Sequence, residues 1–148
     1  QIPNSVITRY AQEILIDNNN ILLYIYWKSY THQAAPNFKV FFGSGGGTLF
    51  PPGSLVGETL NKTLFMALCY YADDVWLNCM CRLKGTKIYR LPECKDISFL
   101  PLVFKNNITL YQINIKENKN DEQINNTRSY FIRNNGVDLF DPFVIESR

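Results

Sequence analysis

The stretch from Leu64 to Arg90, LFMALCYYADDVWLNCMCRLKGTKIYR, constrains the fold more than any other part of the chain and holds three of its four cysteines. Leu64 to Tyr71 is almost continuously apolar, and Ala72-Asp73-Asp74 then breaks the run with residues that turns favour. From Val75 to Leu83 the pattern alternates. Val75, Leu77, Cys79, Cys81 and Leu83 share one apolar face, and Trp76, Asn78, Met80 and Arg82 share the other. A period of two predicts a strand with one face on a core. Lys84-Gly85 reads as a second turn, because glycine adopts a positive φ without steric cost. Thr86 to Leu91 returns as a third strand that Pro92 ends. The predicted unit is a three-stranded meander with its odd-numbered face inward.

Around it the chain reads as strands behind one helix. Asn4 or Ser5 can cap a helix in which Val6, Ile7, Tyr10, Ala11, Ile14 and Leu15 recur at helical spacing. Ile21 to Tyr30 reads as a long strand, apolar on both faces, and Phe38 to Phe42 as a short one. Ile97–Phe104 and Ile108–Ile115 suggest a hairpin, Glu117–Asn126 a polar loop, Arg128–Arg133 a strand and Phe140–Ile145 a closing edge strand. With 148 residues the chain is expected to be a single globular domain, 1–148. The expected class is mainly β (α+β): an N-terminal amphipathic helix on an antiparallel sheet of about eight strands, closed as a barrel or packed as a sandwich.

Composition narrows the function classes. A net charge of +2 is too small to imply a nucleic-acid partner. No run of about 20 apolar residues suggests a membrane span. The heavy use of Asn, Ile, Lys and Tyr fits an AT-rich genome, such as that of a virus or parasite. The first residue is Gln1, and four cysteines in a small chain suit an oxidising compartment, so a removed signal peptide and a secreted or extracellular setting are expected. Cys69–Cys79 and Cys81–Cys94 are the leading disulfide pairs, with buried free thiols as the alternative. Zinc fits poorly, since Cys79-Met80-Cys81 is tighter than the usual paired spacing. Three sequons at Asn61, Asn107 and Asn125 fall at predicted turns or loop edges and point to glycosylation.

Chemistry is harder to find. Gly43-Ser44-Gly45-Gly46-Gly47 follows a strand, but no Lys-Ser/Thr pair follows it, so it is not a phosphate loop. A surface loop, forming a mobile rim around a site, is the expectation. His32 is the only histidine and falls in a predicted loop. Asp73-Asp74 is the only adjacent carboxylate pair, at a predicted turn tip where solvent should leave both acids ordinary. No catalytic residue, metal or cofactor is assigned. The expected function is binding of another protein, a receptor or secreted signalling protein. The expected partner site is an outward ridge of Trp76, Met80, Arg82, Lys87 and Tyr89, residue types that dominate interface hot spots. The alternatives are a barrel that carries a small apolar ligand and, after it, an enzyme.

Overall fold

The computed structural model describes residues 4–30, 35–92, 114–115 and 117–146. These form eight short strands in three small sheets, together with four α-helices, and the eight-stranded antiparallel sheet is not formed. No closed barrel exists among them, which removes the architecture that the apolar-carrier reading required.

The N-terminal segment is not a helix. Val6, Ile7 and Thr8 are three β-branched residues in a row, stiff side chains that favour extended backbone. They form β1 (Val6–Thr8), and after a bend the chain continues as β2 (Ala11–Glu13). β3 (Ile16–Asp17) and β4 (Asn20–Ile21) make a hairpin whose two turn residues, Asn18 and Asn19, both have positive φ. That is the twist-compatible hairpin turn, and Asn tolerates it well. The expected long strand from Ile21 to Tyr30 is instead the end of β4, a 3₁₀ turn at Tyr24–Tyr26 and β5 (Lys28–Ser29). β6 (Val40–Phe42) lies within the predicted strand. A 3₁₀ turn at Ser44–Gly46 follows it, then β7 (Thr48–Leu49) and a 3₁₀ turn at Gly57–Leu60.

The predicted meander is largely helical. Leu64 to Lys84 falls in α1 (Lys62–Leu68) and α2 (Asp73–Lys84), and only β8 (Ile88–Arg90) is a strand. Asn61 caps α1 by accepting from the Leu64 N–H at 3.0 Å. Gly85 does have positive φ, but as the residue that stops α2. Farther on, the expected loop and strand between Glu117 and Arg133 are one helix, α3 (Lys119–Asn135), and the expected edge strand is α4 (Pro142–Glu146). Most of the predicted 97–115 hairpin lies outside the described residues.

β1 is the middle strand of one sheet, antiparallel to β7 and parallel to β8. β2 is the middle strand of another, between β5 and β6. α2 packs beside β6 and runs antiparallel to it, and polar side chains fix the register. Asn78 donates to the Phe42 carbonyl (2.8 Å) and accepts from the Phe42 N–H (3.2 Å). One turn later, Arg82 donates to the carbonyls of Phe38 (2.8 Å) and Val40 (3.2 Å). Residues 78 and 82 share a helix face and 38, 40 and 42 share a strand edge, so the two periods meet. Side chains thus take the place of a further strand on that edge. The main core gathers Trp27, Phe41, Val75, Trp76, Met80, Phe131 and Phe140, and a smaller cluster around Val6, Phe42 and Ile88 lies beyond β6.

Candidate functional site

The first turn of α2 carries Asp73 and Asp74, and β6 delivers the glycine-rich loop to the same place. Gly43 extends the β2–β6 ladder by donating its N–H to the Tyr10 carbonyl at 3.2 Å. A Cβ on Gly43 would come within 2.7 Å of the Tyr10 ring, so only glycine lets that ring lie against the loop. Ser44 then donates its hydroxyl to the Asp73 carboxylate, 3.2 and 3.3 Å from its two oxygens. This contact continues the register set by Asn78 and Arg82. It brings together two sequence features that lie 29 residues apart.

Asp73 is exposed, whereas Asp74 is half-buried, and solvent does not leave Asp74 ordinary. Burial is the main cause that lifts its carboxyl to about 6, with a further push from Asp73. The Val75 N–H, donating to Asp74 Oδ1 at 2.8 Å, pulls the other way but does not win. Tyr24 stands nearby. Burial and the charges of Asp74, Tyr10 and Asp121 hold its phenol well above the usual tyrosine range, so it stays protonated. Its ring rests on Trp27 and Phe41, at centroid distances of 5.0 and 5.8 Å, and its backbone N–H donates to Asp121 at 2.8 Å. Gln12 on β2 hydrogen-bonds the Tyr24 side chain, and its own Oε1 is buried without a partner. The result is a cluster of two carboxylates, a protonated phenol, an amide and a second tyrosine beside a glycine loop. Such a cluster accepts and donates hydrogen bonds at closely spaced points, and one of its acids titrates near neutrality.

The expected ridge does not exist as a surface. Trp76, Met80 and Arg82 are buried, because α2 is enclosed on most sides by the strands, α3 and the chain before α1. Trp76 donates its indole N–H to the Thr59 carbonyl (3.2 Å), and the Arg82 guanidinium lies 4.8 Å from the centre of the Phe140 ring. Lys87 and Tyr89 are half-buried on and beside β8. The thiols of Cys69, Cys79 and Cys81 are free and buried, and burial pushes Cys69 and Cys81 up to about 12. The expected bridges at Cys69, Cys79 and Cys81 are therefore not formed, and Cys69 ends α1 while Cys79 lies within α2, so no pair of facing strands aligns them. Among the described residues, no group of three or more His, Cys, Asp or Glu side chains is placed to hold a metal. Asn61 is exposed, but Asn125 sits within α3, not at a loop edge, and its sequon partner Thr127 is fully buried. His32, Cys94 and Asn107 lie outside the described residues.

Tyr10, Gln12, Tyr24 and Ser44 carried no signal of their own in the sequence. The glycine loop and the acid pair did, but nothing in a linear reading says that they meet. Comparison with family models, curated proteins and solved structures gave no match, so the site is read from its own chemistry.

Proposed function

We propose that the acidic end of α2 binds a small hydroxyl-rich ligand of the sugar class, and that Asp74 exchanges a proton with one of its hydroxyls. The observation that carries this reading is the Ser44–Asp73 contact, which holds the glycine loop across the face where Asp74, Tyr10 and Tyr24 converge. Ionised carboxylates only accept, so they call for a ligand rich in donors. The protonated Tyr24 phenol can donate, which calls for acceptors on the same ligand. Vicinal hydroxyls supply both, and tyrosine rings suit the apolar faces of a sugar. A carboxyl that titrates near pH 6 is matched to taking a proton from a ligand hydroxyl, the step a general base performs. Saturation-transfer NMR with a panel of neutral mono- and disaccharides tests this. Binding should appear for the wild type, and Asp74→Asn and Gly43→Ala should each weaken it about tenfold or more while the chain stays folded. Absence of saturable binding across the panel, or binding indifferent to both substitutions, overturns the proposal.

A second reading, recognition of another protein, is favoured by a different observation. Leu23, Ile25 and Tyr26 on one turn and the edge-to-face Tyr70–Tyr71 pair are exposed. Both segments are tied to the start of α3, through the Tyr24 N–H to Asp121 and the Tyr71 N–H to Gln123, each at 2.8 Å. The extracellular setting belongs to this reading. Asn61 and Thr63 are exposed, and the cap uses Asn61 Oδ1, leaving Nδ2, the atom a glycan would join, outside that bond. Affinity capture with wild type beside a Tyr26→Ala/Tyr70→Ala variant tests it. A partner held by wild type and lost from the variant supports this surface, and one held equally by both removes it.

A further inference from the structure

At the opposite end of α2, about 18 Å from Asp73 by helical rise, the structure has a cleft of about 250 Å³. Its walls come from three separate places in the chain: Asn4, the turn around Ser54, and the helix end with Lys84 and Thr86. Ser54 is 5% exposed, and its backbone N–H donates to the Pro51 carbonyl at 3.1 Å. Its hydroxyl is buried and has no hydrogen-bond partner. A buried hydroxyl left unpaired costs about 1–3 kcal/mol, so a lone orphan lining a cleft marks a place where a ligand atom belongs.

The charge of the cleft indicates which ligand. Among the described residues, Lys84 is the only charged one that lines it, and no carboxylate does. The end of α2 would normally present negative carbonyls there. Those of Cys81 and Arg82 are already satisfied: the Gly85 N–H donates to Arg82 at 2.9 Å and also to Cys81, and the Thr86 N–H donates to Cys81 at 2.9 Å. The carbonyls of Leu83 and Lys84 remain, the Lys84 ammonium offsets their field, and the Ser54 hydroxyl is the buried unpaired donor among the lining side chains. The volume lies under the range of about 300–1,000 Å³ typical of sites for drug-sized ligands.

We propose that this cleft is a second ligand site, taking the oxyanion of a small molecule, a carboxylate or a phosphate group. Lys84 supplies the charge and Ser54 donates the buried hydrogen bond. The site shares no residue with the acidic end of α2, so its success or failure is independent of sugar binding there.

The test is titration of the ¹⁵N-labelled chain with inorganic phosphate and, separately, with acetate. Amide shifts of Gly53, Ser54, Gly85 and Thr86 should saturate with at least one probe. Saturation with phosphate alone assigns a phosphate-bearing ligand, and saturation with acetate assigns a carboxylate. Lys84→Gln should weaken binding about tenfold, the scale of a charge-assisted contact. Ser54→Ala should also weaken it while leaving the melting temperature unchanged or higher, because the free chain loses only an unpaired hydroxyl. No saturable shift at these amides with either probe, or equal affinity in both variants, overturns the proposal.

Discussion

Asp74 is held between two opposed influences. The helix start and the Val75 N–H favour its charge, and burial opposes it, with burial ahead. Its folded pKa of about 6 stands above the ordinary 3.8. Between those values the folded chain binds more protons than the unfolded one, so stability falls as pH rises through that window. Asp74→Asn should flatten this slope and stabilise the chain at pH 7 by on the order of 1–3 kcal/mol. The same change should abolish proton exchange at the site, the trade-off expected where function holds a strained group. Thermal melts of both proteins from pH 4 to 7 check it, and equal slopes would show that Asp74 is not perturbed. The cysteines give a sharper expectation. Cys69, Cys79 and Cys81 are buried, and Cys69 also lies 3.1 Å from the Thr127 hydroxyl. A thiol reagent at pH 8 should leave all three unlabelled in the native chain and label all three in guanidinium without reductant. Positions that stay unlabelled in both conditions would be disulfide-bonded after all.

Among the elements, α2 organises the others, and Asn78 is its principal fastener. It bonds both backbone groups of Phe42 and also donates to the Asp74 carbonyl at 2.8 Å. Asn78→Ala would leave a buried N–H and carbonyl on β6 unpaired, at a loss of about 2–4 kcal/mol. Chemical denaturation should show a lower midpoint with an unchanged slope. Because β6 leads into the glycine loop, ligand binding at the acidic end should fall with it. A loss under about 0.5 kcal/mol would mean that water or a shifted backbone replaces these bonds. This helix was legible in the sequence by its ends, not by its middle. Asp73-Asp74 in the first turn, Arg82 and Lys84 in the last and Gly85 beyond it obey helix capping and dipole rules. The interior is buried on nearly every side, so apolar residues fall at odd and even positions alike and imitate a strand. α3 conceals itself differently. Its buried positions Asn120, Gln123, Ile124, Thr127 and Phe131 keep helical spacing, but three of the five are polar. Hydropathy cannot reveal a stripe built from Asn, Gln and Thr. The short strand at Val40–Phe42 and the left-handed glycine at 85 were legible, because β-branched or aromatic runs and steric limits act locally.

For the molecule as a whole, the N-terminal strands are the centre of the assembly and not a cover laid over it. β1 and β2 are each the middle strand of a three-stranded sheet. A chain beginning at Asp17 should therefore lose both sheets and fail to fold, seen as lost circular dichroism and aggregation. A truncated chain that stays monomeric with wild-type melting would show that the sheets tolerate loss of their middle strands. The parallel pairing of β1 with β8 joins Val6 to Ile88, Ile7 to Tyr89 and Thr8 to Arg90. At ribosomal rates of 5–20 residues per second, β1 leaves the exit tunnel about 4–16 s before its partner strand does. During that interval β1, the β-branched run Val6-Ile7-Thr8, has no neighbour on its β8 side. Slow codons placed between residues 8 and 88 should therefore lengthen the exposure to aggregation and lower the soluble yield.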